Sequence, residues 1–113
     1  MPVTYRSPSQ WKGRDDPEDG FAAKRMHHLI VDDGDRAILG FACEAGVVRN
    51  KGRAGAAQGP SSMRNALANL AAPVDAMTIT DLGDVVVYGD SLEKGQGALA
   101  MRIAGALDQF ERV

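Results

Sequence analysis

What is scarce in this sequence narrows it first. Cys43 is the only cysteine, which excludes an intrachain disulfide and fits a reducing, cytoplasmic compartment. Aromatics are 5% with a single Trp, so core mass has to come from Ala, Leu, Val, Ile and Met. No apolar run approaches the roughly 20 residues needed to cross a bilayer. The opening MPVTYRSPSQWKGRDD has no apolar h-region, so neither a membrane partner nor a secretory leader is expected. Excess positive charge is missing too: a net charge of -2 gives no electrostatic footprint for nucleic acid. There is no internal repeat. What is present, 113 residues with 44% hydrophobic and 25% charged, is ordinary for one small globular domain.

Taken in order, residues 1–17 carry Pro2, Pro8, Pro17 and Gly13 and read as an irregular, extended leader. Trp11 is the exception, since a lone large aromatic in a polar leader is expected to dock on the body of the protein. Glu18 to Ile30 turns helical, with Phe21, Arg25 and Leu29 on one stripe and Ala22, Met26 and Ile30 beside it. Arg36 to Cys43 is short, apolar on both faces and bounded by turn signals, as a buried parallel strand would be, and Gly40 implies close backbone approach. A loop over residues 44–59 follows, and Pro60 fits the first position of a helix. Met63, Ala66, Leu67, Leu70 and Ala71 carry that helix's apolar stripe, and Pro73 ends it.

Met77 to Tyr88 is β-branched and reads as one strand or two, interrupted near Gly83. Asp90 and Glu93 are spaced as a capping box for a last helix with Leu99, Ile103, Ala106, Leu107 and Phe110 on its apolar face. Strand–helix–strand–helix is a βαβα unit with a right-handed crossover. Two parallel strands make a poor sheet, and a third is expected where the sequence stops. Residues 1–113 are therefore expected to be an incomplete N-terminal part of one α/β domain, with a leader and helix over 1–34 and the βαβα unit over 35–113.

The block Gly40–Arg64 concentrates the chemistry, because a strand end, a Gly-rich loop and a helix N-terminus coincide there. Residues 45–74 contain no acid, while Arg49, Lys51, Arg53 and Arg64 are basic. Such a loop is either a solvated basic surface or an anion-recognition element, since guanidinium groups pair carboxylates in bidentate fashion. Nucleotide binding is excluded on spacing. A P-loop needs Lys-Ser/Thr after its last Gly, whereas Gly59 precedes Pro60-Ser61, and Gly52, Gly55 and Gly59 miss the Gly-x-Gly-x-x-Gly pattern. His27 and His28 are adjacent, about 100° apart on a helix, and cannot chelate one ion as an i, i+4 pair would. Cys43 reads as a small hydrophobe, Asp32-Asp33-Gly34-Asp35 as a solvated turn, and Asp81 and Asp84 as turn or loop hydrogen-bonders.

The run GFACEAGVVRNKGRAGAAQGPSSMRNALANLA resembles the N-terminal part of formimidoylglutamases, histidine-degradation enzymes of the arginase–agmatinase superfamily. Trp11-Lys12-Gly13-Arg14-Asp15 is similar to the family's leader, Asp81-Leu82-Gly83-Asp84-Val85 to its second-strand end, and Leu92 to Leu107 to its following helix. The resemblance implies an arginase-like three-layer α/β/α fold with a mostly parallel sheet. It also implies two manganese ions that activate water to attack an amidine carbon, releasing L-glutamate and formamide from N-formimidoyl-L-glutamate. The family's metal-binding Gly-Gly-Gly-His, Asp-x-His-x-Asp and Asp-x-Asp runs are not among these residues, so it assigns no metal or catalytic residue here, and these residues alone are expected to be inactive. Its small dicarboxylate substrate makes Arg49, Asn50, Lys51 and Arg53 the expected substrate-binding residues, Arg53 or Arg49 foremost. The resemblance leaves room for a homo-oligomer of the full-length protein. The alternative is a free-standing small α/β anion-binding or interaction module without catalysis.

Overall fold

The β-branched run Ile79–Val87 forms the central strand, β3, and all but one of its residues are buried. In the computed structural model, which describes residues 2–73 and 77–113 and leaves aside the side chains of Asp19, Phe21 and Ala22, two strands flank it. On one side β2 (Arg36–Ala42) pairs in parallel. On the other, β1 (Val3–Arg6) pairs antiparallel, Val3 opposite Val87 and Arg6 opposite Asp84. The sheet order is β1-β3-β2. The leader is therefore not irregular throughout, and the sheet in this region is mixed, with one parallel and one antiparallel pair. Val3, Thr4 and Tyr5 suit a strand, and pairing satisfies backbone groups of β3 that would otherwise lie along an open edge.

Between β2 and β3 run two helices, α1 (Ala45–Arg49) and α2 (Gly59–Ala68), and α3 (Leu92–Leu107) follows β3. Gly40 and Phe41 are consecutive on β2 and so face opposite sides of the sheet. A Cβ on Gly40 would lie 2.9 Å from the Pro60 Cβ of α2, whereas Gly95 of α3 packs against Val87, with a Cβ there 3.4 Å from the Phe41 ring. The helices thus cover opposite faces, which makes three layers, α2, sheet and α3. Glycine on one partner permits the close approach in each case.

The expected helix over 18–30 does not form. Its place is taken by 3₁₀ turns at Pro17–Ala23, kinked at Gly20 (φ 66°), and Met26–Leu29. The backbone diverts there to the end of α2: Met26 N–H donates to Leu70 O at 2.8 Å and Ala72 N–H to Lys24 O at 2.9 Å, with an antiparallel bridge between Arg25 and Ala71. Those bonds compete with the i→i−4 ladder and win. The stripe positions Phe21 and Ala22 lie outside the described side chains.

The apolar stripe expected on α2 is not its buried face. Met63 is 61% and Leu70 54% exposed, while Pro60, Arg64, Leu67 and Ala68 turn toward the sheet. For α3 the expectation holds at Leu99, Ile103 and Ala106, but Leu107 is exposed. The core is built of small residues, among them Ala37, Ala42, Ala68, Val85, Val86 and Val87, and no large side chain among the described residues is completely enclosed. The molecule is correspondingly open. Its radius of gyration is 15.8 Å, against about 13 Å for a compact domain of ~100 residues. After α3, Glu111 N–H donates to Asp35 O at 3.0 Å and Arg112 O accepts from Ala37 N–H at 2.9 Å, a parallel bridge on the outer edge of β2.

Candidate functional site

The loop after β2 is more ordered than its glycine content suggests. Residues Ala45–Arg49 make the short helix α1, which ends in a Schellman closure: Gly52 N–H donates to Val47 O at 2.8 Å and Lys51 N–H to Val48 O at 2.9 Å. Lys51 occupies the left-handed position, φ 60°, where glycine is the usual residue. Glu44 then ties the loop shut by accepting from Gly55 N–H at 2.8 Å. A 3₁₀ turn over Ala56–Gln58 leads directly into α2. Beside the carboxyl ends of β2 and β3, where α/β sheets expose their binding crevices, lies an open crevice of about 510 Å³. Ala42, Glu44, Val48, Gln58, Val87 and Asp90 are among its walls.

The four expected substrate-binding residues fall into two groups. Arg49 is engaged: its Nε donates to Asp90 Oδ1 at 2.7 Å, and its Nη2 to Asp90 O and Glu93 Oε2, both at 3.0 Å. Its hydrogen bonds to Glu93 and then Asp90 hold its pKa above the ordinary value, and the same guanidinium holds the Glu93 carboxyl down at about 2. Asp90 and Glu93 therefore do not form the expected capping box. Ser91 is the N-cap of α3, without a side-chain cap. Asn50, Lys51 and Arg53 are exposed, and no side-chain hydrogen bond joins them to a described residue. The structure brings Arg49 to the start of α3 and leaves the other three presented to solvent on the same rim.

The densest polar assembly lies elsewhere, between α2 and the sheet. Arg64 donates from Nε and Nη2 to the two oxygens of Asp81, at 2.8 and 2.9 Å, from Nη1 to Asp84 Oδ1 at 2.7 Å and from Nη2 to Gly83 O at 3.1 Å. Arg6 Nη2 adds a 2.7 Å bond to Asp84 Oδ2, and the Trp11 indole N–H donates to Asp81 Oδ2 at 2.8 Å. The carboxylates are almost fully buried, and Arg64 is 15% exposed. For Asp84, burial pushes the pKa up, but hydrogen bonds from Arg6 and Arg64 outweigh it and leave it below the ordinary value. Burial likewise lowers the Arg64 value, and the bonds to Asp81 and Asp84 more than reverse that.

A one-residue irregularity makes this cluster possible. Ile38 pairs with Asp81 and Gly40 with Asp84, so β3 carries an extra residue there. Gly83, at φ 81°, turns the chain through it. Strict alternation would put residues 81 and 84 on opposite faces; the bulge puts both carboxylates on the α2 face. The sequence reading gave Asp81 and Asp84 local hydrogen-bonding roles and treated Arg64 as part of a basic loop. The signal it passed over is an arginine one turn after Pro60 and one turn before Leu67 and Ala68, with two acids bracketing a glycine in an otherwise β-branched strand.

Among the described residues no group of three His, Cys, Asp or Glu side chains converges to hold a metal ion. His28 Nδ1 accepts from Arg25 N–H at 3.0 Å and its Nε2 lies 3.3 Å from Asp15, while His27 Nε2 is 2.7 Å from Arg14 O, so both imidazoles bind the leader. No helix among the described residues is long and apolar enough to cross a membrane.

Comparison with known proteins agrees with this geometry. The chain is 42% identical over 113 residues to the formimidoylglutamase of Ralstonia nicotianae, covering 94% of this chain and 34% of that protein. It is 42% identical over 116 residues to the formimidoylglutamase of Vibrio cholerae (95% and 34%), and 46% over 106 residues to that of Vibrio vulnificus (86% and 31%). It spans about a third of the length of these relatives. The family model described as Arginase family matches residues 34–112, from the turn before β2 to the bridge after α3, and the chain belongs to the arginase family.

Proposed function

We propose that these residues are the N-terminal third of a cytoplasmic formimidoylglutamase, which hydrolyses N-formimidoyl-L-glutamate to L-glutamate and formamide. The observation that carries this is the reach of the similarity: alignment to proteins of that name covers 94–95% of the chain, including the leader before the family match. The role of this segment is then binding rather than chemistry. The rim that presents Asn50, Lys51 and Arg53 supplies cationic donors to one carboxylate of the dicarboxylate substrate, with Arg53 foremost. Arg49 holds the rim against α3 through Asp90 and Glu93. The two metal ions, manganese by family resemblance, would polarise water for attack on the amidine carbon. Their ligands would come from later strands.

Sequencing the coding DNA past codon 113 tests the reading directly. The Gly-Gly-Gly-His and Asp-x-His-x-Asp runs are expected downstream, and their absence in every frame defeats it in favour of a free-standing module. In the completed enzyme, Arg53→Ala should raise KM for N-formimidoyl-L-glutamate at least about tenfold with kcat little changed, the pattern of a lost binding contact. An unchanged KM removes Arg53 from the site.

A further inference from the structure

Outside the loop rim, a second cleft of about 250 Å³ runs between the leader after β1 and α2. Arg6, Ser7, Lys12, Ser61, Arg64 and Asn65 line it, and its one carboxylate is Asp84. That carboxylate is already satisfied, with Oδ1 accepting from Arg64 and Oδ2 from Arg6. Asp81, beneath the cleft, takes the fork of Arg64. Three cations thus face two carboxylates, and Lys12 pairs with no carboxylate of a described residue. The remaining lining is rich in donors: serine hydroxyls, an amide and an ammonium. Arg6 adds a guanidinium that is half exposed and donates to Asp84 only through Nε and Nη2.

From this arrangement we infer that the cleft is a binding site for a small oxyanion, phosphate or carboxylate, separate from the loop rim and independent of the reaction proposed above. A wall with net positive charge, no free acceptor carboxylate and a pre-ordered arginine pair meets the requirements of oxyanion recognition. The pairing of Arg6 and Arg64 with buried aspartates fixes their positions, so little ordering is left to be done on binding. An anion seated there would touch both the leader and α2, and so would also hold them together.

Isothermal titration of the 113-residue chain with inorganic phosphate at constant ionic strength tests the site, with acetate and glutarate as separate arms. Saturable binding with a Kd on the order of 1 mM is expected for at least one anion, and the tighter arm identifies phosphate or carboxylate as its chemistry. Lys12→Gln should weaken that binding at least about fivefold, whereas Lys94→Gln, on the exposed side of α3, should leave it unchanged. Amide shifts on titration should centre on Ser61 and Asn65. Heats that stay linear in every arm, or equal weakening by both lysine variants, overturn the site.

Discussion

Replacing Arg64 with alanine removes the one side chain among the described residues that bonds to both buried carboxylates of β3. The loss is four hydrogen bonds, including the bidentate fork on Asp81. Breaking a buried ion pair from one side costs about 3–5 kcal/mol, because the surviving charge stays buried without its partner. Here the low end applies, since Asp84 keeps Arg6 while Asp81 keeps the Trp11 indole and the Gly83 N–H. A loss of about 3 kcal/mol is a large share of the ~5–15 kcal/mol typical of a domain, and corresponds to a drop in Tm of roughly 10–15 °C at this size. Urea denaturation followed by Trp11 fluorescence measures it, with a lower midpoint at constant m as the expected signature. Arg64→Met combined with Asp81→Asn should recover about half of the loss, because it removes a charge from each side. An alanine variant within about 0.5 kcal/mol of the parent refutes the idea that this cluster holds α2 to the sheet.

Further tests follow from the same geometry. Asp84 titrates below its ordinary value of 3.8 in the folded chain, so folding binds fewer protons there, and its contribution is complete above that value and lost as pH falls through the folded pKa. Denaturation midpoints should therefore be flat above about pH 5 and fall below about pH 4, and Asp84→Asn should flatten that fall. The Glu93 carboxyl should titrate near 2 by NMR, and Arg49→Ala should return it toward 4.5, with an unmoved midpoint in the variant counting against the pairing. Lys51→Gly should stabilise the chain by about 1 kcal/mol by relieving a left-handed backbone position, read as a raised urea midpoint. Gly40→Ala should cost about 1–3 kcal/mol, since its methyl group would press on Asp84 and Pro60; circular dichroism melts check it.

Much of the order of elements was legible from pattern alone. The strands β2 and β3 and the helices α2 and α3 read correctly because apolar, β-branched runs and Pro60 leave little choice of local structure. Three things were not legible, each because a long-range partner decided it. Val3–Arg6 became a strand because β3 offered an edge, and nothing in a segment bounded by Pro2 and Pro8 announces that edge. The 18–30 segment lost its helix to pairing with Leu70 and Ala72. On α2 the apolar stripe through Met63 and Leu70 faces outward, because Asp81 and Asp84 draw Arg64 inward. As for the rim, residue types and spacing pointed to its cations, but only distances could show that Arg49 is committed to Asp90 and Glu93 while Arg53 is not.

The extra residue in β3 makes the chain unusually sensitive to backbone conformation at one point. Straightening the bulge without removing a residue, as a β-branched side chain in place of Gly83 (φ 81°) would favour, would restore simple alternation and swing one carboxylate to the opposite side, among Phe41, Val87 and Gly95, where no described arginine is placed to pair it. Most substitutions in this strand would trade one packing contact for another. Straightening there would instead bury an unpartnered charge in the apolar layer under α3, so the glycine at 83 is constrained as tightly as the two aspartates that flank the bulge.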